Sequence, residues 1–334
     1  MTAGRKLSLE AIVFFYFLSY LPNVMITRWV ATNPEPTLGR PLTGLETLPV
    51  SLIVNLILTY LFIWLSGWHR DANKVQVGKW RIPCPDKYTL LSGFGTSLVL
   101  FTVPLSYTFQ GVSIPFIQLI MRGDILVIAP LVDIAFGRRV SWFSWTALGM
   151  VLLALVITLT DRGGLKLPPL AILTVVLYTI GYFLRLAVMT RIAKNGDEAM
   201  VRRYFVEEKM VALPLSILIL ALISASGIGG QAGELEWGFV GAWSSSAVWA
   251  LVAIGTTLTV ISVIAIIILL DPRENAYCVP LERAASLVAG VGGTILLAWF
   301  FGGTMPRSAE LVGAAILIGA IVLLSVAPRL SRKK

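Results

Sequence analysis

Arg122 and Asp124 stand in the middle of an otherwise apolar stretch, QLIMRGDILVIAPLVDIAFGRR (118–139), with Asp133 further along. An ionised side chain at a bilayer centre costs at least ~2.5–3.5 kcal/mol on insertion scales. Such groups persist there with a partner or a task. Arg122 lies near the middle of its apolar run, hence ~15 Å deep. At about 100° per residue, Gln118, Arg122 and Asp133 share one helical face while Asp124 points elsewhere. A guanidinium on that stripe suits a carboxylate or phosphate, which it grips with two parallel hydrogen bonds. A structural salt bridge to another helix is the alternative. Asp133, close to the end of its run, equally fits an interfacial pair with Arg138 or Arg139. Asp124, deep and in need of a partner or a proton, is a proton-coupling candidate.

Other polar groups recur inside apolar runs. Glu282 and Arg283 form an adjacent pair, and Arg185 and Arg28 stand alone. Glu282, Arg283 and Arg185 join Gln118, Arg122 and Asp133 as candidate substrate-binding residues. Arg28 lies near the end of its run and reads as a snorkelling interface residue. Tyr20, Asn23, Tyr107 and Tyr182 add hydrogen bonds and aromatic walls to the same candidate site.

These residues need helices to hold them inside a membrane. Of 334 residues, 57% are hydrophobic and only 13% charged, against about 25% charged in soluble domains. A span takes about 20 apolar residues. Ten such runs are readable, at roughly 9–31, 47–67, 88–107, 112–136, 141–160, 167–190, 204–226, 244–270, 276–301 and 308–327. The start, MTAGRKLSLE, leads into a run too long and aromatic for a cleavable leader. The expected fold is an all-α polytopic membrane protein.

With the N-terminus inside, 19 of the 27 Lys and Arg residues fall in inner segments. Only Arg40, Arg162, Lys166 and Arg307 fall outside. That asymmetry predicts both termini on the cytoplasmic side. It also accounts for the net charge of +9 through topology and anionic lipid, without nucleic acid. The charged stretch RIAKNGDEAMVRRYFVEEKM (191–210) reads as an interfacial helix or, equally, a solvated linker between halves.

The halves echo each other. Pro115 precedes Phe136-Gly137 as Pro280 precedes Phe301-Gly302, 165 residues later. Thr27-Arg28 has a weaker counterpart in Thr190-Arg191. Five spans per half invert the second copy, giving two repeats, 1–165 and 166–334, that can rock about a midplane site.

This layout, with the hairpin APLVDIAFGRRVSWFSWTALGMVLLAL (129–155), resembles the drug/metabolite transporter superfamily, which includes EamA-type exporters, nucleotide-sugar transporters and triose-phosphate translocators. The likeness covers nearly the whole chain in layout and the two hairpins in motif. It implies ten helices in two inverted five-helix repeats around a central cavity, lined mainly by spans 1–4 and 6–9. The chain departs from the Gly-Glu-Arg-like turn of that superfamily: Gly137-Arg138-Arg139 lacks the acid, and Gly302-Gly303-Thr304 lacks both charges.

The function expected is secondary transport of a small anionic or zwitterionic metabolite, by exchange or proton coupling. A lipid flippase of the same fold is the alternative. A membrane-embedded enzyme is less favoured, because the sequence has one histidine and no metal-ligand spacing. No GxxxxGK[ST] loop occurs, and no cofactor is implied. Cys84 and Cys278 are too few for a disulfide framework. The partners expected are a small-molecule solute and membrane lipids, the protein being a monomer or homodimer in a bacterial or archaeal cell membrane.

Overall fold

Runs of 20 or so apolar residues become helices because, in lipid, each backbone polar group has to be satisfied within its own segment. The computed structural model describes residues 9–77, 80–109, 111–121, 123, 142–161, 167–192, 197–227, 229–271 and 275–331. Its helices are α1 (Leu9–Val30), α2 (Gly44–Leu65), α3 (Lys87–Ser106), α4 (Trp142–Asp161), α5 (Pro169–Ile192), α6 (Glu198–Ser226), α7 (Gly229–Phe239), α8 (Val248–Leu269), α9 (Asn275–Phe301) and α10 (Ser308–Ser331). Residues 114–121 are also helical. All but α7 fall on the expected apolar runs, and seven are long and apolar enough to cross a membrane. The described chain is overwhelmingly helical, with little sheet, and membrane-like. Arg122, Asp124 and Asp133 lie outside the described residues.

Local chemistry marks the helix starts. Thr43 and Glu46 form a reciprocal capping box at α2, satisfying two backbone donors that a helix start leaves open. Asp86 caps α3 by accepting from the backbone N–H of Tyr88 and Thr89 at 2.7 and 2.9 Å. Asp197 caps α6 in the same way through Ala199. That cap sits inside the charged stretch read as an interfacial helix or a linker. From Glu198 onward this stretch is instead the opening of a 29-residue helix. Its charges are taken up by neighbours. Arg202 pairs with Asp71 and Arg203 with Asp86, while Glu207 is fully buried.

The connectors carry short structure of their own. Strands β1 (Pro34–Glu35) and β2 (Arg40–Pro41) pair antiparallel, as do β3 (Lys74–Val77) and β4 (Trp80–Pro83). In the bundle, α3 packs on α5, α6 and α2. Helix α1 packs on α8 and α9, α2 on α8, α7 and α6, and α4 on α10. Close approach of backbones depends on small residues, as is usual between membrane helices. A Cβ on Gly181 would lie 2.5 Å from the carbonyl oxygen of Gly95 and 2.9 Å from the Leu98 Cβ.

Glu35 fastens one connector to another. It accepts from the backbone N–H of Thr37 and Leu38 at 2.6 and 3.0 Å, from the Thr37 hydroxyl, and from the Ser246 hydroxyl at 3.0 Å. Burial raises its carboxyl pKa. The hydrogen bonds from the Thr37 and Ser246 side chains and the Leu38 and Thr37 backbone outweigh that and hold it below the usual carboxylate range.

Two outcomes are expected. Gly181→Ala should destabilise the bundle by about 1–3 kcal/mol through overpacking against α3, read as a lowered midpoint in thermal unfolding. The depressed Glu35 pKa means its contribution is complete above the unfolded carboxyl value near about 4.3. That contribution fades as pH falls through the lower folded value. The midpoint difference between wild type and Glu35→Gln should therefore shrink in a titration from about pH 6 to 3.

Candidate functional site

Three helices carry polar residues at one-turn spacing toward the bundle centre. On α1, Tyr16 and Tyr20 lie one turn apart, with ring centroids 5.4 Å from each other. On α5, Tyr178, Tyr182 and Arg185 form a stripe at i, i+4 and i+7, and the two tyrosine rings stack at 5.9 Å. On α9, Glu282 and Arg283 are both buried. The Tyr16 hydroxyl donates to Glu282 Oε1. Arg283 Nη1 donates to the Tyr178 hydroxyl at 2.6 Å, and its guanidinium carbon sits 3.9 Å from the centroid of the Tyr182 ring, a cation–π distance. Arg283 Nε lies 3.1 Å from Glu282 Oε2, an ion contact without hydrogen-bond alignment.

Helix α6 brings a second charged cluster. Glu208 accepts from Arg185 Nε at 2.7 Å, from the Thr96 hydroxyl at 2.6 Å and from the Tyr204 hydroxyl at 3.1 Å. Beside it, Lys209 is 2% exposed. Its Nζ lies 5.8 Å from the Phe205 ring centroid. Among the described residues, Lys209 has no ion-pair partner.

The two clusters face one cavity of about 80 Å³. Its polar lining comprises Tyr16, Tyr20, Thr96, Tyr182, Arg185, Lys209, Ser262, Glu282 and Arg283. Its apolar wall is built from Val99, Leu100, Val103, Leu258, Ile261 and Ala265. Six helices, α1, α3, α5, α6, α8 and α9, contribute.

Of the residues expected from sequence, Tyr20, Tyr182, Arg185, Glu282 and Arg283 meet at this cavity. Tyr107 and Gln118 stand behind it. The Tyr20 and Tyr107 hydroxyls share a hydrogen bond of 3.0 Å, and Gln118 Nε2 donates to the Tyr107 hydroxyl at 3.1 Å. Gly290 of α9 leaves the space that Gln118 fills. Asn23 serves as a strut: its amide donates to Ile254 O and Thr257 Oγ1 at 3.2 and 2.8 Å, joining α1 to α8. Arg28, read as a snorkelling residue, donates to the backbone carbonyls of Tyr107 and Phe109 at 3.1 and 3.3 Å. These are the orphan acceptors past the end of α3.

Sequence reasoning missed Glu208, Lys209, Tyr16 and Thr96. The available signal was Asp197 followed by Glu198, a cap that starts the helix early enough to carry Glu208 and Lys209 into the bundle.

No family model and no curated protein matches the chain. A solved structure described only as "Crystal structure of protein" is similar to it, with a TM-score of 0.58 at 15% identity. The likeness covers 96% of this chain and 97% of that one. At that identity it shows the shared fold alone.

Breaking a buried ion pair by removing one partner costs about 3–5 kcal/mol, because the other charge is stranded. Glu208→Gln is therefore expected to lower thermal stability strongly. Adding Arg185→Met should restore much of the loss. A double-mutant cycle on the purified protein measures the coupling.

Proposed function

We propose that this protein is a secondary transporter of the drug/metabolite transporter type, moving a small anionic or zwitterionic organic solute by alternating access. The observation that carries the reading is the central cavity. It is lined by α1 and α3 of the first half and by α5, α6, α8 and α9 of the second, and it holds Arg185, Lys209 and Arg283 against Glu208 and Glu282. Among the described residues the buried site has one cation in excess, which favours a negatively charged guest.

The inverted five-plus-five repeat is supported by the packing. Take α1, α2, α3, the helix entered at 114–121 and α4 as the first copy, and α5, α6, α8, α9 and α10 as the second. Then α1 on α8 is matched by α5 on α3, and α2 on α8 by α6 on α3. The contacts of α2 with α6 and of α4 with α10 join equivalent helices. A further sequence echo fits this pairing. Leu48-Pro49-Val50-Ser51 of α2 corresponds to Leu213-Pro214-Leu215-Ser216 of α6, again 165 residues on. Both serines face the partner that the symmetry requires. A Cβ on Gly255 of α8 would meet the carbonyl oxygen of Ser51, and Ser216 Oγ donates to the carbonyl of Ser97 on α3. The Lys and Arg bias supports inner termini.

Reconstituted into liposomes, the protein should exchange organic anions saturably across the bilayer. Arg283→Ala, with its cavity cation removed, should lose more than about tenfold in rate. Exchange of no organic anion, together with scrambling of labelled lipid in the same vesicles, would replace the reading with that of a lipid flippase.

A further inference from the structure

Two of the three cavity cations are already neutralised. Arg185 is held by Glu208 at 2.7 Å and Arg283 by Glu282 at 3.1 Å. Each carboxylate also accepts from a hydroxyl, Thr96 for Glu208 and Tyr16 for Glu282. Lys209 is the cavity cation with no carboxylate at ion-pair distance among the described residues, its neighbour Glu208 being engaged by Arg185, although only 2% of it is exposed. Across the cavity wall, the Tyr182 hydroxyl is buried and has no hydrogen-bond partner among the described residues. Leaving a buried polar group unsatisfied is costly, and more so for a charge. Each is thus a donor waiting for an acceptor.

We infer that the cavity binds a compact monocarboxylate with a short apolar tail, its two oxygens taken by Lys209 and Tyr182. This rests on the reading of the cavity as the solute site and narrows the solute class. One ammonium and one hydroxyl match the two oxygens and single charge of a carboxylate. A phosphate monoester brings about −1.5 to −2 charges and three acceptor oxygens, leaving charge and lone pairs unmet. An amino acid would place its own ammonium near Lys209, and the carboxylates on the cavity already face cations, Glu208 toward Arg185 and Glu282 toward Arg283. Much of the remaining wall is apolar, with Val99, Leu100, Val103, Leu258 and Ile261, which suits a hydrocarbon tail better than a ring of sugar hydroxyls. A volume of about 80 Å³ is smaller than the roughly 150 Å³ that takes benzene, which sets the size of the tail.

The test is calorimetric titration of the purified full chain with propionate, with alanine (the same skeleton carrying an α-ammonium) and with inorganic phosphate. Propionate should bind saturably, and alanine and phosphate at least about tenfold more weakly. Lys209→Gln should weaken propionate by more than about tenfold, and Tyr182→Phe, which keeps the stacked ring, by about three- to tenfold. Phosphate or alanine binding as tightly as propionate overturns the inference. So does unchanged propionate affinity in Lys209→Gln that elutes like wild type, or in Tyr182→Phe. Absence of binding by all three overturns it as well. None of these results touches the transporter reading, which stands or falls on anion exchange in liposomes.

Discussion

A charge inside a hydrocarbon slab has to find its counter-charge within the protein, and the Glu208–Arg185 pair is where this bundle satisfies that demand. Glu208 draws on three helices at once: Arg185 of α5, Thr96 of α3 and Tyr204 of its own α6. A threonine side chain is short, so it reaches a carboxylate on the next helix only if the two backbones come close. The glycines supply that closeness. Gly93 packs against Val211 and the backbone of Glu208, and Gly95 against Gly181 and the backbone of Arg185. The close-packed glycine face and the charged cluster occupy the same stretch of α3. Packing there is subordinate to electrostatics: the helices approach so that the buried acid can be fully coordinated.

Three consecutive residues of α6 show how helical geometry divides work. Glu207, Glu208 and Lys209 are all buried, yet successive residues point about 100° apart. Glu207 faces the β3–β4 connector, accepting from the backbone of Asn73 and Asp86 and from the Thr89 hydroxyl, with Arg203 beside it. Glu208 faces the α3–α5 interface. Lys209 faces the cavity. One turn of helix thus ties the β3–β4 connector, the bundle frame and the candidate solute site to a single rigid element. A displacement of α6 would be felt in all three places.

The apolar frame was legible because the hydrocarbon thickness sets both a minimum length and a composition. The expected runs and the observed helices agree to within a few residues for α1, α3, α5 and α9. Where reading failed, a second signal was competing. The charge density of residues 191–210 imitates a solvated loop, because local composition carries no trace of partners such as Asp71 and Asp86, more than a hundred residues away. Helix α7, rich in glycine, has weak intrinsic propensity. It is held from outside, by Thr43 donating to Glu234 at 2.8 Å and by Gly238 lying against the backbone of Glu46. Strands of two and four residues are too short for any periodicity to register. At the cavity, Tyr20, Tyr182 and Arg185 were readable as polar or charged side chains inside apolar runs. Tyr16 and Thr96 look like ordinary residues of an apolar helix until their partner Glu282 or Glu208 is seen.

The division between satisfied and unsatisfied groups bears on how such a cavity could drive motion. A ligand shifts a conformational equilibrium only by its differential affinity for the two states. Arg185–Glu208 joins α5 to α6, each of which packs closely on α3, so it is suited to stay intact while that group moves as a body. The links from α1 are of two kinds. Tyr16 to Glu282 lies within the α1–α9 packing, whereas Tyr20 to Tyr107 runs from α1 to the residue past the end of α3, and a hydroxyl exchanges partners at little cost compared with a buried ion pair. In an alternating-access cycle, the Arg185–Glu208 pair would hold its group together, the Tyr20–Tyr107 contact would be remade, and Lys209 and Tyr182 would be the donors whose satisfaction depends on the guest.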